Sequence, residues 1–298
     1  MTPETHAAWA SHFTAIARAY WTPARTRELT GGKALQILPG EAPLLLRALG
    51  LLHRDASMPP PQVRKYLQIN HMVRLLEPDL ARLHARHPVV RLVDAGCGRS
   101  YLTLLLAWCA RHRGDRLEVI GVDRNRDVIA ECERRTAIAE LSDLVTYQAT
   151  TLDALAVTGI HGVVALHACD TATCDAIALG VACGAELIAV APCCQAELAR
   201  GWTALAERGA AGAFAPIWQA PHLRRELAAH VTDAMRTLLL RAAGYDVTAM
   251  QFIAAEHSAK NTLLRAVRGS ATSRADYDAL VAATGGVGLG LADRLASA

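Results

Sequence analysis

A turn with two glycines, between a predicted strand and a predicted helix, is the first candidate ligand site in this sequence. The strand ends in Asp94, Gly96 and Gly98 follow it, and the apolar run of the helix starts at residue 102. Glycines at this spacing let the backbone turn tightly and approach a ligand at the amino end of a helix. A dinucleotide site has a third glycine three residues later to seat a pyrophosphate, but this chain has Tyr101 there.

Two acidic residues at strand ends narrow the choice of ligand. Asp94 precedes the first glycine by two residues, where a carboxylate suits a cationic amino acid group and repels a phosphate. The second strand ends in Asp123, whose carboxylate can accept hydrogen bonds from both ribose hydroxyls of an adenosine. The pattern predicts a class I site for S-adenosylmethionine (SAM). The alternatives are a nicotinamide site and a former cofactor site that no longer binds a ligand. The predicted cofactor-binding residues are Asp94, Gly96, Gly98, Tyr101, Asp123, Arg124, Thr151, Leu152 and His167.

Reactive side chains also follow the fourth and fifth predicted strands and occupy the tip of a predicted hairpin. Ligands of open α/β sheets lie outside the carboxyl ends of the strands, so we expect these three groups to meet in one cleft that holds the methyl acceptor. The predicted catalytic residues are His167, Cys169, Asp170, Cys193 and Cys194. The predicted substrate-binding residues are Lys65, Gln68, Gln195, His257, Lys260 and Asn261.

Each catalytic role at these strand ends has an alternative. His167 is predicted to accept a proton from a hydroxyl or an amine, or only to pack beside the cofactor. Asp170 would orient this histidine, or cap the helix that starts at Thr171. Cys169 and Cys193 would act as nucleophiles, as cytosine C5 methylation requires, or serve as small packing residues.

Three further sites also have two interpretations. Thr151 and Leu152 lie where the adenine is expected, or in an ordinary loop. Lys260 and Asn261 hold an acceptor phosphate or carbonyl, or are solvated tip residues. Zinc is possible but not favoured, because H-x-C and adjacent cysteines are not the usual ligand spacings, so no metal ligand is predicted. The four residues of that alternative are His167, Cys169, Cys193 and Cys194.

Short apolar runs predict the elements that must position these residues. Five of them alternate with helical stretches, as buried parallel strands do. The last two are separated by seven residues, which is too few for a helical crossover and suits an antiparallel hairpin. The fold class is therefore α/β, a Rossmann-like sheet of seven strands with an N-terminal helical extension. The runs are 89–93, 117–122, 144–148, 162–166, 187–190, 245–254 and 262–267.

The N-terminal part is predicted to be helical and basic. Residues 1–90 hold 11 Lys and Arg against 6 Asp and Glu, although the net charge of the whole chain is only +3. Residues 57–61, which end in three prolines, predict a linker or a rigid turn, followed by an amphipathic helix over 63–76. The predicted domains are an N-terminal helical region (1–61), a methyltransferase domain (62–270) and a C-terminal helical tail (271–298).

Composition excludes several classes of protein. The chain has 298 residues, of which 52% are hydrophobic and 20% charged, as in folded soluble proteins rather than disordered or fibrous ones. No apolar run approaches the ~20 residues of a membrane span, and the first residues lack the apolar core of a secretory signal. Eight cysteines in a chain of this length predict reduced thiols and a cytoplasmic location.

The sequence resembles the methyltransferases catalogued as methyltransferase domain 32, relatives of the methyltransferase-like 25 proteins. Those proteins share an H-x-C-x-x-x-T element, here 167–173, and a P-C-C element, here 192–194. A K-x-x-Q-I helix and an E-H-x-x-K-N element match 65–69 and 256–261. A similar pairing occurs in Trm13-like tRNA ribose 2′-O-methyltransferases, but these have Gly where this chain has Asp170 and His where it has Gln195.

The resemblance implies a SAM-dependent enzyme, with S-adenosylhomocysteine as product, and makes RNA the leading acceptor. The first alternative is methylation of a protein side chain or a small metabolite. The second is a SAM-fold module that binds a partner and transfers nothing. The sequence predicts no membrane partner and leaves the oligomeric state open.

Overall fold

The computed structural model describes residues 3–166, 168, 170–192, 195–251 and 262–296. These residues form helices and strands in alternation, divided between two compact units, Met1–Thr150 and Thr151–Ala298. The domain boundaries expected at residues 61 and 270 stay a prediction. In the part of the chain that the structure describes, no helix is both long enough and apolar enough to cross a membrane.

Four helices precede the first strand. A proline stands in the first turn of the second, third and fourth, where its missing N–H has no helical partner to lose. The linker or rigid turn expected over 57–61 is therefore wrong in its extent, because Pro60 and Pro61 begin the fourth helix, which continues to Arg86. The four helices are α1 (Pro3–Tyr20), α2 (Pro23–Thr30), α3 (Pro43–Ala48) and α4 (Pro60–Arg86).

Helix α4 fixes the irregular chain between α2 and α3. The hydroxyl of Tyr66 donates to the carbonyl of Ile37 at 2.7 Å, and the Asn70 side-chain oxygen accepts the Ile37 N–H at 3.0 Å. All three residues are buried. Since an unpaired buried backbone group is unfavourable, these two bonds hold Ile37 against α4.

The rest of the first unit is a three-stranded parallel arrangement with helical crossovers. Val93 of the first strand pairs with Ile120 of the second, and Val119 of the second pairs with Val145 of the third. The first strand is buried at every residue but Arg91, as expected for a parallel strand that is covered on both faces, whereas the third is buried only at its first residue, Val145. The elements are β1 (Val90–Ala95), α5 (Tyr101–Arg113), β2 (Leu117–Asp123), α6 (Arg126–Ile138) and β3 (Val145–Ala149).

The second unit contains two parallel strands and the predicted hairpin. β4 (Gly162–Ala165) runs parallel to β5 (Leu187–Val190), and α7 (Thr171–Ala182) connects them. β6 (Tyr245–Gln251) and β7 (Thr262–Arg268) are antiparallel, which confirms the hairpin, and β7 lies antiparallel to β5. The remaining helices are α8 (Glu197–Glu207), α9 (Ala215–Gln219), α10 (Pro221–Ala242), α11 (Ala275–Ala283) and α12 (Leu291–Ala296).

The strands form one seven-stranded sheet in the order β3-β2-β1-β4-β5-β7-β6. The pairs of β1 with β2, β2 with β3 and β4 with β5 are parallel, and the pairs of β7 with β5 and with β6 are antiparallel. This arrangement confirms the predicted α/β class and the seven-stranded class I methyltransferase sheet.

Candidate functional site

The glycine-rich loop of the first unit turns through three left-handed residues. Gly96, Gly98 and Ser100 have φ angles of +71°, +49° and +58°. Glycine adopts this region without strain, whereas Ser100 adopts it at the position that directly precedes α5. The Cys97 N–H donates to the carbonyl of Val122 at 2.9 Å, so the loop is also attached to β2.

Asp123, the predicted ribose ligand, lies at this loop. One oxygen of its carboxylate accepts the Gly98 N–H at 3.3 Å, and the other accepts the Asn125 N–H at 2.9 Å. The side chain is half-buried, and the neighbouring Arg124 is exposed. A partly exposed carboxylate beside a loop with glycines at positive φ fits the ribose and the close backbone approach that SAM requires.

Asp94, at the end of β1, is a buried carboxylate. The residue is 2% exposed. Its carboxylate accepts a hydrogen bond from the hydroxyl of Thr103, in the first turn of α5, with 2.5 Å between the two oxygens. Burial raises the pKa of Asp94 to about 6. The residue thus ties the end of β1 to α5, and its contact with the amino group of a cofactor stays a prediction.

Tyr101 connects the loop to the N-terminal helices. Its hydroxyl donates to the carbonyl of Leu49 at 3.0 Å. The Nζ atom of Lys65 lies 3.7 Å from the centre of its ring, and the guanidinium carbon of Arg135 lies 5.7 Å from it. Lys65, a predicted substrate ligand, therefore makes a cation–π contact at the cofactor loop, and the half-buried Gln68 follows it on α4.

A buried polar cluster under the loop was not predicted. The Cys132 thiol donates to the Gly98 carbonyl at 2.9 Å, and the hydroxyls of Thr136 and Tyr147 are 2.8 Å apart. The hydrogen bond with Cys132, and then burial, raise the pKa of Cys97 far above its ordinary value. These groups fix the loop from below, and no motif in the sequence marks them.

Most of the predicted acceptor-site residues lie outside the described residues. They are His167, Cys169, Cys193, Cys194, His257, Lys260 and Asn261. All four residues of the zinc alternative are among them, so that alternative stays open. Elsewhere, in the described ranges, no group of three or more His, Cys, Asp or Glu side chains could hold a metal ion.

The alternative role of Asp170 as the cap of α7 is wrong. It occupies the N-cap position of α7 but makes no capping bond there. Its carboxylate accepts the N–H groups of Ala196 and Glu197 at 2.8 and 3.0 Å, and pairs with Arg200 at 2.9 Å, so it caps α8 instead. Burial opposes the charge, but these donors outweigh it and lower the pKa of Asp170.

Gln195, a predicted substrate ligand, is 7% exposed and belongs to a second unpredicted cluster. Its Nε2 donates to Asp233 at 2.9 Å. The other oxygen of Asp233 accepts from Arg236 at 3.2 Å, and Arg236 also donates to the Asp170 carbonyl at 2.8 Å. Burial raises the pKa of Asp233. The only sequence signal was an Asp and an Arg three residues apart on a helix, which is common on exposed surfaces.

The predicted adenine contacts Thr151 and Leu152 belong to the second unit. Thr151 is exposed, and its hydrogen bond is the main cause of the lowered pKa of Asp153. Leu152 lines a cleft of about 600 Å³ together with α7 and α12. Their contact with adenine stays a prediction.

Comparison with known proteins supports a methyltransferase domain. Residues 64–201 match the model of a family described as a methyltransferase domain, and no curated protein matches. Among solved structures, the [4+2]-cyclase SpnF is 17% identical over 41% of this chain and 45% of its own, with a TM-score of 0.32. The citrinin polyketide synthase CMeT domain is 14% identical over 71% and 58%, with a TM-score of 0.44.

Magnesium protoporphyrin IX methyltransferase from Synechocystis PCC 6803, a structure with bound SAM, is 15% identical over 86% of this chain and 97% of its own, with a TM-score of 0.42. The chain spans about half the length of the first two of these structures. The family match covers the glycine-rich loop and the strands β1 to β5.

Proposed function

We propose that this chain, a SAM-dependent methyltransferase, transfers its methyl group to RNA. The observation that carries the proposal is a positive stripe on α4, which we define as Arg64, Gln68, His71 and Arg74. The two arginines are exposed, and the other two side chains are half-buried. Residues 60–76 contain no acidic residue. Ten residues of helix span about 15 Å, enough for more than one phosphate of a nucleic acid strand.

The stripe begins beside the predicted cofactor site. Lys65, next to Arg64, places its ammonium on the ring of Tyr101, the first residue of α5 after the glycine-rich loop. Burial, and then the charge of Arg74, lower the pKa of His71, so the positive charge of the stripe at neutral pH comes from its arginines. An RNA backbone bound along α4 would pass next to the loop that is predicted to hold SAM.

The chemistry divides between cofactor and chain. Bound SAM supplies an electrophilic methyl group on its sulfonium. The chain's part is to bind the adenosine through Asp123, to hold the loop through Asp94 and Tyr101, and to orient an acceptor oxygen or nitrogen. An acceptor hydroxyl must also lose its proton, for which His167 is the predicted base.

The test has two stages. Calorimetry first measures SAM binding to the purified protein. Labelled SAM is then incubated with RNA, protein and small-molecule fractions from cells that lack this gene. We expect SAM binding and label in RNA. Label only in protein or metabolites would overturn the RNA proposal, and binding without transfer to any fraction would favour the non-catalytic module.

Charge reversal tests the stripe itself. We expect Arg64→Glu/Arg74→Glu to weaken RNA binding and to reduce the slope of log Kd against log salt by about 2, because two phosphate contacts are lost. Its SAM affinity should be unchanged. The control variant Arg208→Glu/Arg225→Glu alters the net charge equally at exposed positions of the second unit. An equal loss of RNA affinity in both variants would show that net charge, and not the stripe, is responsible.

A further inference from the structure

The guanidinium of Arg236 is fully buried and contacts two loops of the second unit. Its Nη2 donates to the backbone carbonyl of Asp170 at 2.8 Å, and it also lies 3.4 Å from the Cys174 sulfur. Its Nη1 donates to Asp233, whose second oxygen accepts from Gln195. One side chain from α10 thus reaches the loop after β4 directly and the loop after β5 through a single carboxylate.

The loop after β4 is held in an unfavourable conformation. Asp170 has a φ of +51° with a ψ of −114°, a region that residues other than glycine rarely adopt. Such a conformation persists only where the surroundings impose it, and it is typical of functional sites. Here the surroundings are Arg236 on the Asp170 carbonyl and two N–H donors on its carboxylate. The Thr173 hydroxyl also donates to the Ala168 carbonyl at 2.5 Å.

The two anchored residues adjoin the predicted acceptor-site residues in sequence. Asp170 directly follows Cys169, and Gln195 directly follows Cys194. Arg236 therefore contacts the first reactive segment at the Asp170 carbonyl, and it reaches the second through Asp233 and the side chain of Gln195.

Stability alone is a poor explanation for this cluster. A buried ion pair loses the hydration of both charges, and apolar side chains of similar volume often stabilise a protein as well or better. In addition, Nε of Arg236, Oε1 of Gln195 and Oγ1 of Thr232 are buried without a hydrogen-bond partner. The planar guanidinium, unlike an apolar side chain, provides directed bonds at fixed geometry: one to the Asp170 carbonyl and one to the carboxylate that holds Gln195.

We infer that Arg236 is a positioning residue that sets the relative geometry of the two segments carrying the predicted acceptor-site residues. The inference rests on the proposed methyltransferase function but not on RNA as the acceptor.

The test compares Arg236→Met with Arg236→Lys, which keeps the charge but not the fork, and with Asp233→Asn. Leu239→Ala is the matched control, because Leu239 is 2% exposed on the same helix and its truncation destabilises α10 without removing a bond to either loop. Each variant is measured for SAM affinity, for kcat and KM with whichever fraction accepts label, and for the alkylation rates of Cys169, Cys193 and Cys194 by peptide mass spectrometry.

We expect Arg236→Met to bind SAM as the parent protein does, to lose about 100-fold in kcat, and to alkylate these thiols faster. Arg236→Lys should be intermediate. Leu239→Ala should keep its kcat and its alkylation rates at temperatures where it is folded. If Arg236→Met does not fold, the lysine and Asp233→Asn variants decide the question.

Two results would overturn the inference: a loss of kcat no greater than in Leu239→Ala, or unchanged thiol reactivity in every folded Arg236 and Asp233 variant. The alkylation rates need no methyl acceptor, so they test Arg236 even if the transfer assay shows that RNA is not the substrate. A wild-type protein that fails to bind SAM would instead overturn the proposed function.

Discussion

Replacing Asp94 by asparagine should stabilise the protein at neutral pH and have almost no effect in acid. Burial raises the pKa of Asp94 from its ordinary value of 3.8 to about 6, so the folded protein disfavours the charged form. Since one pKa unit corresponds to about 1.36 kcal/mol, this pKa difference destabilises the folded protein with a charged Asp94 by about 3 kcal/mol. The asparagine side chain carries no charge at any pH and could still accept the Thr103 hydrogen bond.

The sign follows from proton linkage. Between pH 4 and pH 6 the folded state binds more protons at this residue than the unfolded state does, so its contribution to the free energy of unfolding falls as the pH rises. Asp94→Asn lacks this loss. The difference in unfolding free energy between variant and parent should therefore grow from about 0.5 kcal/mol at pH 4 to about 3 kcal/mol at pH 7.5.

Urea unfolding of both proteins from pH 4 to pH 8 measures this difference. Asp276→Asn, at an exposed position of α11, is the control and should differ from the parent by less than about 0.5 kcal/mol throughout. A difference for Asp94→Asn that does not change with pH would refute the reasoning from burial. We also expect the variant to bind SAM more weakly, because it lacks the carboxylate that is predicted to face the cationic amino acid group of SAM. Gains in stability at a binding site often reduce its function in this way.

Two further substitutions test the predicted ribose ligand and the packing of β2 beside the cofactor loop. Asp123→Ala removes the acceptor of the Gly98 N–H, which is also the predicted ribose ligand, so calorimetry should show at least about a tenfold weaker SAM affinity. The control Asp127→Ala, on α6, should leave the SAM affinity unchanged. Equal SAM affinities of the two variants would contradict the ribose assignment. Gly121→Ala would place a Cβ 2.5 Å from the Tyr147 ring, so urea unfolding should show a loss of about 1–3 kcal/mol, and a stable variant would mean that the ring can move aside.

β1, β4 and β5 were predictable because each is a short, largely apolar run whose burial can be inferred without knowledge of its neighbours. β5, over residues 187–190, agrees with its prediction at both ends. The start of α4 was not predicted, because its prolines were interpreted as helix breakers, although the first turn of a helix tolerates proline. Local sequence is sufficient where the determining interaction is local.

The buried polar residues were not predictable for the opposite reason. Asp170 precedes α7 at a positive φ, yet its carboxylate caps α8, a helix that begins 27 residues later. Asp233 and Arg236 look like an ordinary surface pair three residues apart, and only the packing of α10 buries them. Such roles depend on contacts between distant segments, which spacing along the chain does not encode.

The pairing of Ile37 with α4 bears on how fragments of this protein should be chosen. A fragment cut at residue 64, where the family match begins, would leave the buried Tyr66 and Asn70 without the groups that satisfy them. It would also remove the Leu49 carbonyl that receives the Tyr101 hydroxyl at the cofactor loop. The family match alone is therefore too short to include the hydrogen-bond partners of its own buried polar groups. Truncated proteins for crystallisation or screening should begin ahead of residue 37.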